Sequence, residues 1–276
     1  MKTKIRNYSP LIKSILLTNK QLTEDMLVSR GKIYTFLNPV SYLTALKDES
    51  LFTRFDAVMV DGSILATAIR LLYNKKIKRR SFDMTSIADL LFRHILSEKK
   101  TVYLVGAQQE QIEKAVSILL EQYPKMRIAG YRDGYFSSKE EIQEECKKIL
   151  HLNPDYVIAG MGVPLQEHFL LQLKENGYQG IGFTCGGFFS QLSIKSIQYY
   201  PQWMDRFNFR FLYRFYKEKH TRKRYLKATF LFPFYFTLNP QLHSRSATYK
   251  RNGLLIRKTA IKSSRPFQCA YYPLTP

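Results

Sequence analysis

Short apolar runs alternate with longer amphipathic segments along most of the chain. Leu27 to Thr35 and Ala57 to Val60 read as strands. Ser63 to Tyr73 then carries apolar residues at helical spacing and ends in the charged turn from Asn74 to Arg80. Thr85 to Leu96 repeats the helical pattern, and Thr101 to Val105 is a continuous apolar run closed by Gly106, the signature of a buried strand. Gln109 to Gln122 predicts a helix and Arg127 to Gly130 a strand. Ser138 to Leu150 predicts an acidic amphipathic helix with Ser137 or Ser138 as N-cap. Asp155 to Ala159 (strand), Gln166 to Asn176 (helix) and Gly180 to Thr184 (strand, followed by Gly186-Gly187) complete the pattern. Such alternation predicts the α/β class, a parallel sheet with helices on both faces. Ligands of these sheets bind beyond the carboxyl ends of the strands.

Charge divides the chain. Its 276 residues carry 43 Lys and Arg against 22 Asp and Glu, a formal net of +21. Residues 1–200 hold 27 basic and 20 acidic side chains, whereas residues 201–276 hold 16 basic ones against only Asp205 and Glu218. This predicts three parts: an α/β body over residues 1–198, a basic aromatic appendage over 199–235 and a basic tail over 236–276. A chain so charged seeks phosphates, whether of nucleotide, nucleic acid or anionic lipid. The hydrophobic share of 45% is enough for a packed core and excludes wholesale disorder. Cys146, Cys185 and Cys269 are too scattered for a disulfide framework or a zinc site. No run reaches the ~18–20 apolar residues of a membrane span. Ala228 to Leu238 is long enough only to lie in a bilayer surface. No secretory signal follows the basic N-terminus, so the expected location is cytoplasmic, peripheral on the inner face of the cell membrane.

The unusual residues gather where such a sheet would bind. Val60-Asp61-Gly62 puts a carboxylate after the second strand. Gly106 lets backbone N–H groups approach a phosphate at the next helix. Gly160-Met-Gly162-Val-Pro164-Leu-Gln166-Glu167 and Cys185-Gly186-Gly187 follow two further strands. Neither Walker A nor the dinucleotide Gly-x-Gly-x-x-Gly is present. His168 reads as a helix-surface residue and Cys185 as a small buried hydrophobe.

As an ordered set, Val60-Asp61-Gly62, Arg80, Asp133-Gly-Tyr-Phe136, the Gly162-to-Glu167 block, Gly186-Gly187, and Pro201, Trp203, Leu212-Tyr213-Arg214 and Arg224-Tyr225 resemble the WecG/TagA/CpsF family of bacterial glycosyltransferases. The resemblance covers roughly residues 25–227. It implies a Rossmann-like body and a C-terminal appendage that closes the site and rests on an anionic membrane surface. The implied reaction is inverting transfer of a hexose or N-acetylhexosamine-type sugar from a UDP-sugar to a polyprenyl-diphosphate-linked saccharide, as in capsule, surface polysaccharide or teichoic acid synthesis. Four positions depart from the family: Phe36 stands where a threonine is usual, with Thr35 beside it before Asn38; Asp83 and Thr85 replace a glycine and an aspartate after Arg80; Ser190 replaces an aspartate; and Arg210-Phe211 replaces Glu-Trp.

Inverting transfer needs a base for the acceptor hydroxyl. The resemblance assigns it to Asp61, a strand-end carboxylate beside glycine; the alternative is that Asp61 caps the following helix. The diphosphate needs neutralising charge. No Asp-x-Asp metal motif is present and no cofactor is expected, so Arg80, Arg214, Arg222 and Arg224 are the candidates, or else solvated and lipid-facing charges. Gln166 and Glu167 are expected to bind donor ribose or base, or else Glu167 favours its helix N-terminus. Gly162 and Pro164 shape that turn, and Thr35, Asn38, Gly106, Gly186 and Gly187 line the substrate site. A homo-oligomer is left open, since an appendage that closes the site can depend on assembly. The competing class is a basic nucleic-acid-binding protein with a nucleotide-sensing α/β body, which the aromatic–basic run at 206–225 would suit. A third reading is an enzyme-like protein made inactive by Phe36, Asp83 and Thr85.

Overall fold

The computed structural model describes residues 8–18, 23–195 and 230–237. Six strands form one parallel sheet: β1 (Ile33–Leu37), β2 (Ala57–Val60), β3 (Thr101–Gly106), β4 (Arg127–Arg132), β5 (Tyr156–Gly160) and β6 (Ile181–Thr184). Their order is β2-β1-β6-β5-β3-β4, and every pairing is parallel. This is the α/β architecture that the hydrophobic alternation predicts.

Side-chain alternation along the strands splits the core into two layers. Ile33, Leu37, Val58, Val60, Tyr103, Val105, Val157 and Ala159 face one set of helices. That set is α1 (Pro10–Thr18), α3 (Pro39–Ala45), α4 (Glu49–Thr53), α5 (Ser63–Tyr73), α8 (Lys139–Leu152) and α9 (Leu165–Glu175). Tyr34, Phe36, Ala57, Met59, Val102, Leu104, Tyr156, Ile158, Ile181 and Phe183 face the other set. Those helices are α2 (Thr23–Val28), α6 (Ile87–Ser97), α7 (Gln109–Gln122) and α10 (Phe188–Lys195). Strands buried on both faces explain the continuous apolar runs of β3 and β5.

Two expectations change. The segment from Leu27 to Thr35 is not one strand: Leu27 and Val28 end α2, Gly31 turns the chain at φ 69°, and β1 starts at Ile33. Glu24 and Asp25 in the first turn of α2 favour the helix through its dipole, a cue that the apolar run masks. The helix expected from Thr85 begins instead at Ile87, because Asp83 holds a turn there. Its Oδ1 accepts from Thr85 N at 2.9 Å and Thr85 Oγ1 at 2.6 Å, and its Oδ2 accepts from Ser81 Oγ at 2.6 Å. Ser138 is the N-cap of α8, accepting from Glu141 N at 3.2 Å.

Residues 230–237 form a further helix. Phe232 and Phe236, one turn apart, are buried against Tyr42 at ring-centroid distances of 5.8 and 5.3 Å. Phe230, Phe234 and Tyr235 on the other faces remain exposed.

Candidate active site

All six strands point their carboxyl ends to one edge, so the sequence blocks singled out above converge there. The chain leaves β3 toward β4 and leaves the adjacent β5 toward β6, in opposite directions, and this opens a crevice between them. Backbone shapes that crevice. A Cβ on Gly106, which has φ 148°, would lie 2.5 Å from Gly160 O. Gly134 is also closely packed, its Cβ position 2.9 Å from Met161 Cγ and 3.0 Å from Gly106 Cα, and its N–H donates to Ala107 O at 2.9 Å. Arg132 ties down the rest of this loop: its guanidinium donates to Asp133 O at 3.0 Å and Tyr135 O at 2.9 Å and lies 3.9 Å from the Phe136 ring centroid. Behind it, Glu145 accepts from Tyr103 Oη and sits 3.8 Å from Arg132 Nη1. Burial and that carboxylate push the Tyr103 phenol well up. Tyr135 itself is 55% exposed at the rim.

The β2-β1-β6 side is shaped by side chains. Asp61 follows β2 half-buried, its N–H donating to Leu37 O at 2.8 Å, and Gly62 at φ 89° is the N-cap of α5. Arg80 lies beside it, since Arg80 N donates to Val60 O at 2.9 Å. Its guanidinium is buried, with Nη1 3.5 Å from Met59 Sδ, and desolvation pulls its pKa down from the usual value. A guanidinium stays charged even so. Asn38 caps α3, its Oδ1 accepting from Val40 N and Ser41 N at 2.9 and 3.0 Å.

Beneath the β1–β6 seam lies a buried polar network. Glu167 Oε1 accepts from Thr35 Oγ1 at 2.8 Å and from Gln166 Nε2 at 2.9 Å. Thr184 Oγ1 donates to Thr35 Oγ1 at 3.0 Å, and Gln166 Oε1 accepts from Gly186 N at 3.1 Å. Burial pushes the Glu167 carboxyl up to about 7, against the lowering effect of the hydrogen bonds from Gln166 and Thr35. Gly186, at φ 56°, needs the left-handed backbone that glycine permits. Gly162 does too, at φ 77°, and its carbonyl accepts from Gln166 N as Pro164 caps α9.

Gly106, Gly162, Gly186, Gly187, Asn38, Asp61 and Arg80 thus share the strand-end edge. Gln166 and Glu167 are 1% and 0% exposed, and their side-chain hydrogen bonds are made within the protein. Thr35 is equally buried. It does not substitute for a threonine at position 36: adjacent strand residues point to opposite faces, and Phe36 packs on the other layer, 6.0 Å from the Phe82 ring centroid. Ser190 turns to α7 and donates to Gln111 Oε1 at 2.9 Å. Arg214, Arg222 and Arg224 lie outside the described residues. His168 is exposed and Cys185 buried, its thiol pushed up by desolvation, as expected. Among the described residues no three His, Cys, Asp or Glu side chains are grouped to hold a metal ion. Thr184, Arg132 and Glu145 went unread in the sequence. A hydroxyl at the end of an apolar strand was the available signal for Thr184.

A parallel sheet whose strand ends gather a glycine-lined crevice, an aspartate and a buried arginine is an α/β architecture suited to a phosphate-bearing ligand. The model of the Glycosyl transferase WecG/TagA/CpsF family matches residues 14–246, and the chain belongs to that family of glycosyltransferases. It is 35% identical over 210 residues, 76% of this chain and 84% of the relative, to a UDP-Gal:alpha-D-GlcNAc-diphosphoundecaprenol beta-1,4-galactosyltransferase of Shigella boydii. An N-acetylglucosaminyldiphosphoundecaprenol N-acetyl-beta-D-mannosaminyltransferase of Bacillus subtilis (strain 168) is 28% identical over 188 residues, 67% of this chain and 71% of the relative. The enzyme of the same name from Staphylococcus aureus (strain NCTC 8325 / PS 47) is 32% identical over 97 residues, 34% of this chain. Nothing in these relatives supports the nucleic-acid reading.

Proposed function

We propose that this glycosyltransferase moves a sugar from a UDP-sugar to a GlcNAc-diphosphoundecaprenol acceptor with inversion, and that the sugar is galactose. The extent of the match to the galactosyltransferase, greater in both identity and coverage than to the mannosaminyltransferases, carries this reading. The glycine-shaped crevice at β3 and β5 takes the nucleoside diphosphate. Asp61 accepts the acceptor hydroxyl's proton as that oxygen attacks the anomeric carbon. The bond from that carbon to the diphosphate breaks on the opposite face and UDP departs. Arg80, with Arg214, Arg222 and Arg224 from the appendage, balances the charge that develops on the leaving group. Asn38 and the Gly186-Gly187 turn border the sugar.

The acceptor is lipid-linked, so the enzyme works at a membrane surface. Among the described residues no helix is long and apolar enough to cross a membrane. Exposed Phe230, Phe234 and Tyr235 suit insertion at the headgroup boundary, and the basic C-terminal quarter suits anionic lipid. The test is transfer from UDP-galactose, and separately from UDP-N-acetylmannosamine, to a synthetic GlcNAc-diphosphate lipid, with products resolved by mass. A galactosylated product is expected. Transfer from UDP-N-acetylmannosamine alone would overturn the choice of sugar, and transfer from neither would overturn the function.

A further inference from the structure

Glu167 is fully buried in the first turn of α9, and only half of its carboxyl group is bonded. Oε1 accepts two hydrogen bonds, from Thr35 and Gln166, while Oε2 has no hydrogen-bond partner among the described residues. An ionised carboxylate with one bare buried oxygen is the costly form. Protonation removes the charge and leaves an O–H whose desolvation is far smaller. Among the described residues the charges around α9 have other partners: Asp48, the N-cap of α4, faces His168, and Lys174 of α9 itself pairs with Asp56 at 2.6 Å. Glu145 of α8 faces Tyr103 and Arg132, Glu49 of α4 accepts from Leu11 N, and Arg54 after α4 pairs with Glu175 at the far end of α9. The strands beneath contribute only the hydroxyls of Thr35 and Thr184.

We propose that Glu167 is a positioning residue that works as a neutral carboxylic acid, orienting Gln166 and Thr35 so that the Gly186-Gly187 turn is held ready for the donor. The inference rests on the reading of this edge as a donor site. Its logic is directional. Because Oε1 of Glu167 takes the Gln166 Nε2 donor, the Gln166 carbonyl oxygen is left to accept from Gly186 N. Loss of the carboxyl frees the Gln166 amide to rotate, and the turn loses the acceptor that fixes it. Thr35 is held in the same way, donating to Glu167 and accepting from Thr184, so β1 and β6 are locked at the level where the site begins.

Between the ordinary glutamate range and about 7 the folded chain keeps a proton that the unfolded chain has lost. Stability attributable to this group therefore falls as pH rises through that window and is level above it. Glu167→Gln retains an acceptor oxygen and replaces the acid O–H by an amide donor that cannot ionise; Glu167→Ala removes the network. Both are compared with the full-length wild-type chain by thermal unfolding from pH 4.5 to 8.5, and by kinetics in donor and acceptor. The Gln variant is expected to gain melting temperature relative to wild type between pH 4.5 and 7, and then to run parallel. It is expected to keep kcat and donor KM within about threefold. The Ala variant is expected to raise donor KM about tenfold, the equivalent of one lost net hydrogen bond, with kcat and acceptor KM little changed. A Gln variant that melts in parallel with wild type at every pH overturns the proposal, and so does an Ala variant with wild-type donor KM. The melting comparison needs no sugar transfer, so its failure is separable from failure of the functional reading.

Discussion

On the β5-β3-β4 side of the strand edge the backbone does the shaping, whereas on the β2-β1-β6 side the side chains do. Gly106, Gly134 and Gly160 bring main chain against main chain, and the Asp133–Phe136 loop is held from behind by Arg132. Asp61, Asn38 and Arg80 stand across from them, over a buried network of Thr35, Thr184, Gln166 and Glu167. The contrast matches a division of labour. A diphosphate is gripped by N–H groups and close backbone approach, which only glycine allows. Proton transfer and charge neutralisation need ionisable side chains. Loss of the ionisable Asp61 or Arg80 is therefore expected to appear mainly in kcat, and damage to the glycine-shaped backbone, or to the buried network that holds the Gly186-Gly187 turn, mainly in donor KM.

The largest effect is expected from Asp61→Asn, which removes the proposed base and leaves the shape. Its kcat is expected to fall by about 10²–10⁴-fold with donor KM within a few-fold, as read by steady-state transfer. A variant with wild-type kcat would take the base away from the side-chain half. Next comes Gly106→Ala, which forces a Cβ against Gly160 O at a backbone angle that other residues avoid. Destabilisation of about 1–3 kcal/mol in urea titration is expected, with loss of UDP-induced protection against heat. The smallest is Arg132→Ala, which frees the Asp133–Phe136 loop. A donor KM raised about tenfold at unchanged kcat is expected. Were kcat to fall instead with donor KM unchanged, the loop would belong to the chemistry and the contrast would fail.

The glycine side was the more legible in the sequence, and for a physical reason. A strand that ends in glycine, as at Gly106 and Gly160, advertises both the end of an element and a close approach, and both are local properties. Asp61-Gly62 was readable in the same way. Thr35 was not, because a one-residue difference along β1 decides which layer a side chain enters. The neighbouring Phe36 occupies the opposite layer, and the apolar run that contains both hides where the strand begins. Gln166 and Glu167 were found as a motif, but their burial was not legible, since nothing in a Gln-Glu pair tells whether it faces solvent or core.

By itself, then, the order of residues determined the α/β alternation, the gathering of the motif residues at strand ends and the concentration of positive charge after residue 200. These follow from periodicity, glycine placement and counting, which are properties of short stretches. Only the tertiary structure decided that Thr35, Gln166 and Glu167 meet beneath Gly186, because Thr35 and Glu167 stand 132 residues apart and join only through the β1–β6 pairing. The same holds for the Glu167 carboxyl: desolvation by burial raises it above the ordinary glutamate range, against the lowering effect of its hydrogen bonds from Thr35 and Gln166.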